Sequence, residues 1–83
     1  KKIPIDIYNK ITVVIEPNKE LKEKIKNLVL SEGFKVLTLE NKIDREKNSM
    51  EFSFTVRYRK PLKAEEVFEK ISDIEGVKQV FLE

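Results

Sequence analysis

The sequence predicts an α+β domain in which two helices cover one face of a four-stranded antiparallel sheet, with the strands in the order 4-1-3-2. The main observation is an internal repeat, since residues 32–40 read EGFKVLTLE and residues 75–83 read EGVKQVFLE. Each copy follows a helical pattern, which is itself preceded by a proline and a strand-like run. The element order is therefore βαββαβ, and right-handed crossovers place both helices on the same face of the sheet.

The first strand and the first helix follow from the spacing of their apolar residues. Along the strand, apolar and polar side chains alternate around Ile11, Val13 and Ile15. Pro17 ends the strand because proline cannot donate to a sheet ladder, and Asn18 is expected to cap the following helix. One face of that helix carries Leu21, Ile25, Leu28 and Val29. Gly33 suits the left-handed position after its last turn.

The second half of the chain repeats this plan. The third strand shows the most regular alternation, with apolar side chains at Met50, Phe52, Phe54, Val56 and Tyr58. The second helix has its apolar stripe at Ala64, Val67, Phe68, Ile71 and Ile74. Gly76 is expected to close this helix. The polar segment 41–49, NKIDREKNS, is predicted to be a long, mobile hairpin loop between the second and third strands.

The repeat also predicts which side chains face the helices. It aligns Leu37 with Val80 and Leu39 with Leu82. These four are expected to face the helices, so that Thr38 and Gln79 point to the open face of the sheet. Three apolar residues would share that open face: Val14, Val36 and Phe81. An apolar patch without a covering helix is typical of a partner surface, and these three residues are the predicted interaction surface.

Composition limits the chemistry. A length of 83 residues corresponds to one domain. Cysteine and histidine are both absent, which removes the thiol nucleophile, the zinc–thiolate site and the commonest general base. Glu65, Glu66 and Glu69 are interpreted as an acidic helix face rather than a metal site. We therefore expect a non-catalytic domain without a cofactor or a bound metal.

Charge does not favour a nucleic-acid partner. The net charge is only +2, and the bases alternate with acids along both helices. Aromatic residues on the third strand invite comparison with RNA-binding domains of the same element order. However, Phe52 and Phe54 share a face with Val56, which places them in the core. Arg57 and Arg59 on the open face leave RNA binding as the least favoured alternative. No apolar run reaches the ~20 residues of a membrane span.

The predicted element order is that of the ferredoxin-like fold, which regulatory ACT domains share. ACT domains bind amino acids near the loop between the first strand and the first helix, where they usually carry a glycine. The corresponding loop here contains Pro17, Asn18 and Lys19 and has no glycine. A small-ligand site for an amino-acid effector at these three residues is therefore the alternative to an interaction role.

The end of the chain resembles a known family. Residues 54–83, FTVRYRKPLKAEEVFEKISDIEGVKQVFLE, are similar to the soluble, ACT-like C-terminal domain of MgtC/SapB membrane proteins. The resemblance lies mainly in residues 74–80, which lead from the second helix into the last strand. It implies a regulatory or protein-interaction domain at the cytoplasmic face of the membrane, in a protein linked to magnesium homeostasis. No binding residue carries over from this family.

The first residues of the chain indicate how it is organised, since Ile3, Ile5 and Ile7 alternate with other residues as in a strand. Residues 10–83 would form a single ACT-like domain, and residues 1–9 a linker or an extension of the first strand. A chain that begins at KKIP without methionine is expected to belong to a larger parent protein. The expected partner is a second copy of the domain, forming a homodimer, or the membrane domain of the parent protein.

Overall fold

A computed structural model describes residues 3–83, so that Lys1 and Lys2 of the predicted leading segment lie outside the described residues. The elements follow in the predicted order: β1 (Ile7–Ile15), α1 (Lys19–Ser31), β2 (Lys35–Asp44), β3 (Ser49–Tyr58), α2 (Ala64–Ser72) and β4 (Val77–Leu82). The strands form one antiparallel sheet in the order β2-β3-β1-β4, which confirms the predicted fold class. β1 begins at Ile7, so residues 7–9 extend the first strand.

The core lies between the two helices and one face of the sheet. It is built from alternate residues of β1 and β3, from the apolar faces of both helices and from one residue between α1 and β2: Ile11, Val13, Ile15, Ile25, Val29, Phe34, Met50, Phe52, Phe54, Val56, Tyr58, Ala64, Val67 and Ile71. The rings of Phe52 and Phe54 stack with centroids 6.2 Å apart inside this core. Both are buried, as their position in the alternation of β3 predicts, and do not reach the open face.

Both ends of α1 are closed as the sequence predicts. The Asn18 side-chain oxygen accepts a hydrogen bond from the Leu21 backbone N–H at 3.1 Å. At the other end Gly33 has φ +97°, and its N–H donates to the Leu30 carbonyl. The N–H of Phe34 donates to the carbonyl of Val29, which completes the paired hydrogen bonds of a Schellman motif.

The end of α2 differs from the prediction. The helix ends at Ser72, and Asp73 closes it with a backbone hydrogen bond to Glu69. Gly76 lies beyond the helix, in the turn that leads into β4, and does not occupy the capping position. Its φ of +97° suits this turn, and the place of its missing Cβ lies 2.9 Å from a methyl carbon of Leu21. Gly76 therefore permits a close approach between this turn and α1.

The prediction of a long loop over residues 41–49 is wrong. β2 continues to Asp44 and β3 begins at Ser49, so only residues 45–48 connect them. The Asp44 carboxylate accepts a hydrogen bond from the Lys47 N–H at 3.1 Å, and Asn48 has φ +50°, which asparagine tolerates. Residues 41–44, which are polar except for Ile43, belong to an edge strand and are all exposed, so polar side chains are acceptable there.

Candidate interaction surfaces

The open face of the sheet is largely polar. Hydroxyl pairs bridge neighbouring strands, with 2.9 Å between the oxygens of Thr12 and Ser53 and 3.2 Å between those of Thr38 and Thr55. Phe81 lies opposite Thr12 in the sheet and is 49% exposed. Tyr8 of β1, which lies opposite Arg57, is 56% exposed, so Phe81 and Tyr8 are two large side chains on an otherwise largely polar face.

The structure brings together two of the three residues of the predicted interaction surface. Val14 pairs with Gln79 of β4, which places Val14 and Phe81 near each other on the open face. Val36, in contrast, lies opposite the buried Val56 and packs against the core. Its predicted position on the open face is wrong, because a β-bulge after Val36 inserts Leu37 as an extra residue and shifts the alternation of β2.

The predicted ligand residues lie at the start of α1. The side-chain oxygen of Asn18 is already occupied by the first turn of its own helix. Pro17 and Asn18 are exposed, and Lys19 lines a shallow depression along the outer side of α1 with Glu20 and Glu23. The structure thus gives Asn18 a capping role, and the binding of an amino acid at this loop stays a prediction.

The outer edge of β2 presents apolar side chains that the sequence analysis did not assign to a surface. Leu39 and Ile43 lie opposite the buried residues Phe54 and Met50, and therefore on the helix side of the sheet. Nevertheless they are 38% and 62% exposed, so the helices leave this part of the strand uncovered. Within residues 3–83, β2 pairs with β3 alone, so its outer backbone edge is free. We call this surface the β2 edge: the outer side of β2 with the exposed Leu39 and Ile43.

A second surface forms where β3 ends and is rich in basic side chains. The basic corner consists of Lys35, Arg57, Arg59 and Lys60, which line one groove together with Asp6. Lys35 lies directly opposite Arg57 in the sheet. The Arg59 Nε donates to an Asp6 carboxylate oxygen at 2.6 Å.

The neighbouring basic side chains lower the pKa of the Asp6 carboxyl. The hydrogen bond from Arg59 lowers the pKa of the Asp6 carboxyl below its ordinary value, against a smaller opposing effect of desolvation. The positive charges of Arg59, Arg57 and Lys35 lower this pKa as well. Asp6 therefore stays ionised at neutral pH.

The sequence carried a partial signal for the basic corner. The run RYRK at 57–60 places two arginines and a lysine close together. What the sequence does not show is that β2 brings Lys35 opposite Arg57, a contact between residues far apart in the chain. Similarly, the β2 edge was missed because Ile43 was assigned to a loop and Leu39 to the side of the sheet that the helices cover.

Comparison with solved structures identifies the fold. The chain superposes on the ACT domain of the GTP pyrophosphokinase of Chlorobium tepidum with a TM-score of 0.76 and 14% identity, covering 95% of this chain and 100% of that one. The C-terminal domain of the MgtC protein of Mycobacterium tuberculosis gives a TM-score of 0.74 at 12% identity, with 92% and 84% covered. A formyltetrahydrofolate deformylase of Pseudomonas putida gives 0.77 at 9% identity, over 93% of this chain but 28% of the enzyme.

Comparison of the sequence with known families and curated proteins finds no relative. Across residues 3–83, no helix combines the length and the apolar content needed to cross a membrane. The fold is therefore assigned from structural similarity alone, and all of these similarities are at low sequence identity. They show that the chain has the ACT-like, ferredoxin-like fold, which it shares with the C-terminal domain of MgtC.

Proposed function

We propose that the chain is a non-catalytic regulatory domain of the ACT type, part of a membrane-anchored protein, and that it acts by pairing with a second copy of itself. Its fold likeness to ACT domains and to the MgtC C-terminal domain supports the regulatory role and the membrane context. The observation that carries the pairing is the exposed β2 edge, with Leu39 and Ile43 beside a free strand backbone.

An exposed edge strand is a ready site for pairing with another strand. Proteins usually protect such edges by shortening them or by interrupting them with charges. β2 has ten residues, whereas β4 at the opposite edge has six. The long edge therefore offers more backbone hydrogen-bonding groups than its counterpart.

The side chains of β2 are complementary to themselves in one antiparallel register. A two-fold axis at Asn41 would set Leu39 of one copy opposite Ile43 of the other, on the helix side of the joined sheet. On the open side, Glu40 would lie opposite Lys42 of the other copy. Symmetry makes each pair occur twice. Favourable cross-strand pairs contribute about 0.2–1 kcal/mol each, so we expect a weak dimer.

Charge reversal tests this register. Glu40→Lys and Lys42→Glu each create two like-charge pairs in the proposed dimer, so each variant alone should associate more weakly than the parent chain. An equimolar mixture of the two variants restores both opposite-charge pairs. We therefore expect sedimentation equilibrium to show dimers in the mixture at concentrations where each single variant is monomeric.

A matched pair of apolar variants separates the two candidate surfaces. Ile43→Asp places a charge at the β2 edge and should give a monomer, whereas Phe81→Asp on the open face should leave the dimer intact. The reverse result would move the interface to the open face around Val14 and Phe81. A parent chain that stays monomeric over a wide concentration range would contradict the pairing altogether.

The membrane context has its own test. The intact protein that contains this domain should sediment with membranes after cell lysis and should be released by detergent but not by high salt. Release by salt alone would contradict a membrane-spanning anchor, and recovery in the supernatant would contradict membrane attachment. Either result would contradict only the membrane context, and the proposed pairing would still be tested by the self-association experiments above.

A further inference from the structure

One end of the domain carries a local excess of positive charge. Among the residues that line the groove of the basic corner, Asp6 is the only acid, and it is already bonded to Arg59. The groove at the opposite end of the sheet differs, because two acids, Asp44 and Glu51, balance its two lysines. A net charge of +2 for the whole chain therefore conceals a local excess of unpaired bases.

Large apolar side chains lie beside these bases. Ile3 and Ile5 are 82% and 76% exposed, and they share a second groove with Arg59 and Lys60. Isoleucine side chains gain nothing from this exposure to water, and they do not contribute to the core. One end of the molecule thus combines cationic side chains with two protruding hydrocarbon groups.

This combination fits the surface of an anionic membrane. Basic side chains are attracted to acidic lipid headgroups, while adjacent apolar side chains enter the boundary between headgroups and acyl chains. We propose that the basic corner, together with Ile3 and Ile5, binds an anionic lipid bilayer. A soluble polyanion such as RNA would use the positive charges but would leave the two isoleucines in water.

The position of the site makes it independent of self-association. The basic corner and the two isoleucines lie at the end of the sheet where β3 ends, whereas Ile43 of the proposed dimer lies near the opposite end of β2. Ile43→Asp, which is expected to abolish dimers, leaves every lipid-facing group in place. Failure of membrane binding and failure of dimerisation would therefore be separate results.

Vesicle flotation tests the proposal directly. The domain should float with vesicles of 70% phosphatidylcholine and 30% phosphatidylglycerol, and not with vesicles of phosphatidylcholine alone. Arg57→Gln and Lys60→Gln should each weaken binding about fivefold, since a basic residue near an anionic surface contributes on that order. Raising the salt concentration should weaken binding by the parent chain, because salt screens exposed charges.

Two further variants identify the mode of binding. Ile3→Ser with Ile5→Ser keeps every charge but should weaken flotation, which a purely electrostatic contact would not show. Lys19→Gln with Lys24→Gln removes two charges from the outer side of α1 and should change binding by less than about twofold, unlike the equivalent loss at the basic corner. Circular dichroism spectra and thermal unfolding would confirm that all variants are folded.

Several outcomes would overturn the proposal. Absence of flotation with the anionic vesicles would do so, as would an equal loss of binding from the lysine variant on α1. If millimolar pyrophosphate displaced the domain while the isoleucine variant bound normally, the corner would be a phosphate site and not a membrane contact. Tight binding of single-stranded RNA with no binding to vesicles would assign the corner to nucleic acid.

Discussion

Leu39 of β2 lies directly opposite Phe54 of β3, yet Phe54 is 2% exposed and Leu39 is 38% exposed. Both side chains are on the helix side of the sheet, so the difference does not come from the direction of the side chain. It arises because the core side of β3 is covered at this position, whereas the neighbouring part of the edge strand is not. At Leu39 the boundary between core and surface therefore runs between these two neighbouring strands, although Val36 nearer the start of β2 still packs against the core.

This boundary predicts a sharp contrast in stability. Phe54→Ala should lower the free energy of unfolding by about 3–5 kcal/mol, because it removes a buried ring and leaves a cavity. Leu39→Ala should lower it by less than about 1 kcal/mol, since much of that side chain already meets water. Urea denaturation at a concentration where the domain is monomeric would measure both values. Similar losses for the two variants would mean that Leu39 is buried in solution.

The capping role of Asn18 predicts a measurable local effect. Asn18→Ala removes the acceptor for the Leu21 N–H and should destabilise the domain by about 1 kcal/mol, whereas Asn18→Asp retains an acceptor and should cost much less. Asn27→Ala, on the outer side of the same helix, is the matched control. Thermal unfolding would rank the three variants.

The same variants bear on the amino-acid alternative. A screen of amino acids against the parent chain would reveal a ligand as a rise in the unfolding temperature that saturates with concentration. If such a ligand exists and Asn18→Ala abolishes its effect, the loop is a binding site as well as a cap. A loss of stability in Asn18→Ala without any ligand effect would support capping alone.

Local physical rules account for most of the fold that could be predicted. The alternation in β3, the cap at Asn18 and the left-handed Gly33 each depend on residues that are close in sequence. Neighbouring residues suffice to determine strand faces and helix ends of this kind. The internal repeat then supplied the topology, because two similar strand–helix–strand units fit together in few ways.

The bulge in β2 shows where this reasoning fails. The repeat aligns Val36 with Gln79, and equal positions were expected to share a face. In the structure Val36 packs against the core and Gln79 is exposed. The two strands carry their irregularities at different places, since β2 is interrupted between Val36 and Thr38 and β4 between Val77 and Gln79. One inserted residue moves the side chains on one side of it to the opposite face of the sheet, and nothing in the local sequence marks the position of the insertion.

The surfaces were harder to predict than the core for a related reason. Whether a strand residue such as Leu39 is buried depends on how far the helices extend across the sheet, which the strand's own sequence does not specify. The basic corner depends on pairing between Lys35 and Arg57, which only the assembled sheet brings together. Sequence patterns describe the faces of an element, whereas a surface is made by several elements.

Gly76 offers a test of the contact between the turn before β4 and helix α1. Gly76→Ala should destabilise the domain by about 1–2 kcal/mol from the left-handed backbone alone. The new methyl group would also meet Leu21 at 2.9 Å. Leu21→Ala creates space, so the double variant should lose less stability than the sum of the single variants. Strict additivity in urea denaturation would show that the two residues do not touch.

The ion pair between Asp6 and Arg59 predicts how stability depends on acid. The hydrogen bond from Arg59 lowers the pKa of the folded Asp6 carboxyl below the value of 3.8 that it has without partners. A depressed pKa means that the folded state holds the proton less tightly than the unfolded state. The pair therefore stabilises the folded domain above the unfolded pKa, and this contribution is lost as the pH falls below about 4 and through the folded pKa.

Titration of the Asp6 carboxyl carbon by NMR would measure this shift. The apparent pKa of Asp6 should lie below 3.8 in the parent chain and return towards that value in Arg59→Gln. Arg57→Gln should produce a smaller change in the same direction, because Arg57 acts through its charge without a hydrogen bond to Asp6. Added salt should raise the pKa of Asp6 in the parent chain, since screening weakens the pull of the exposed bases. An Asp6 that titrates at its ordinary value, unaffected by Arg59→Gln, would show that the ion pair does not persist in solution.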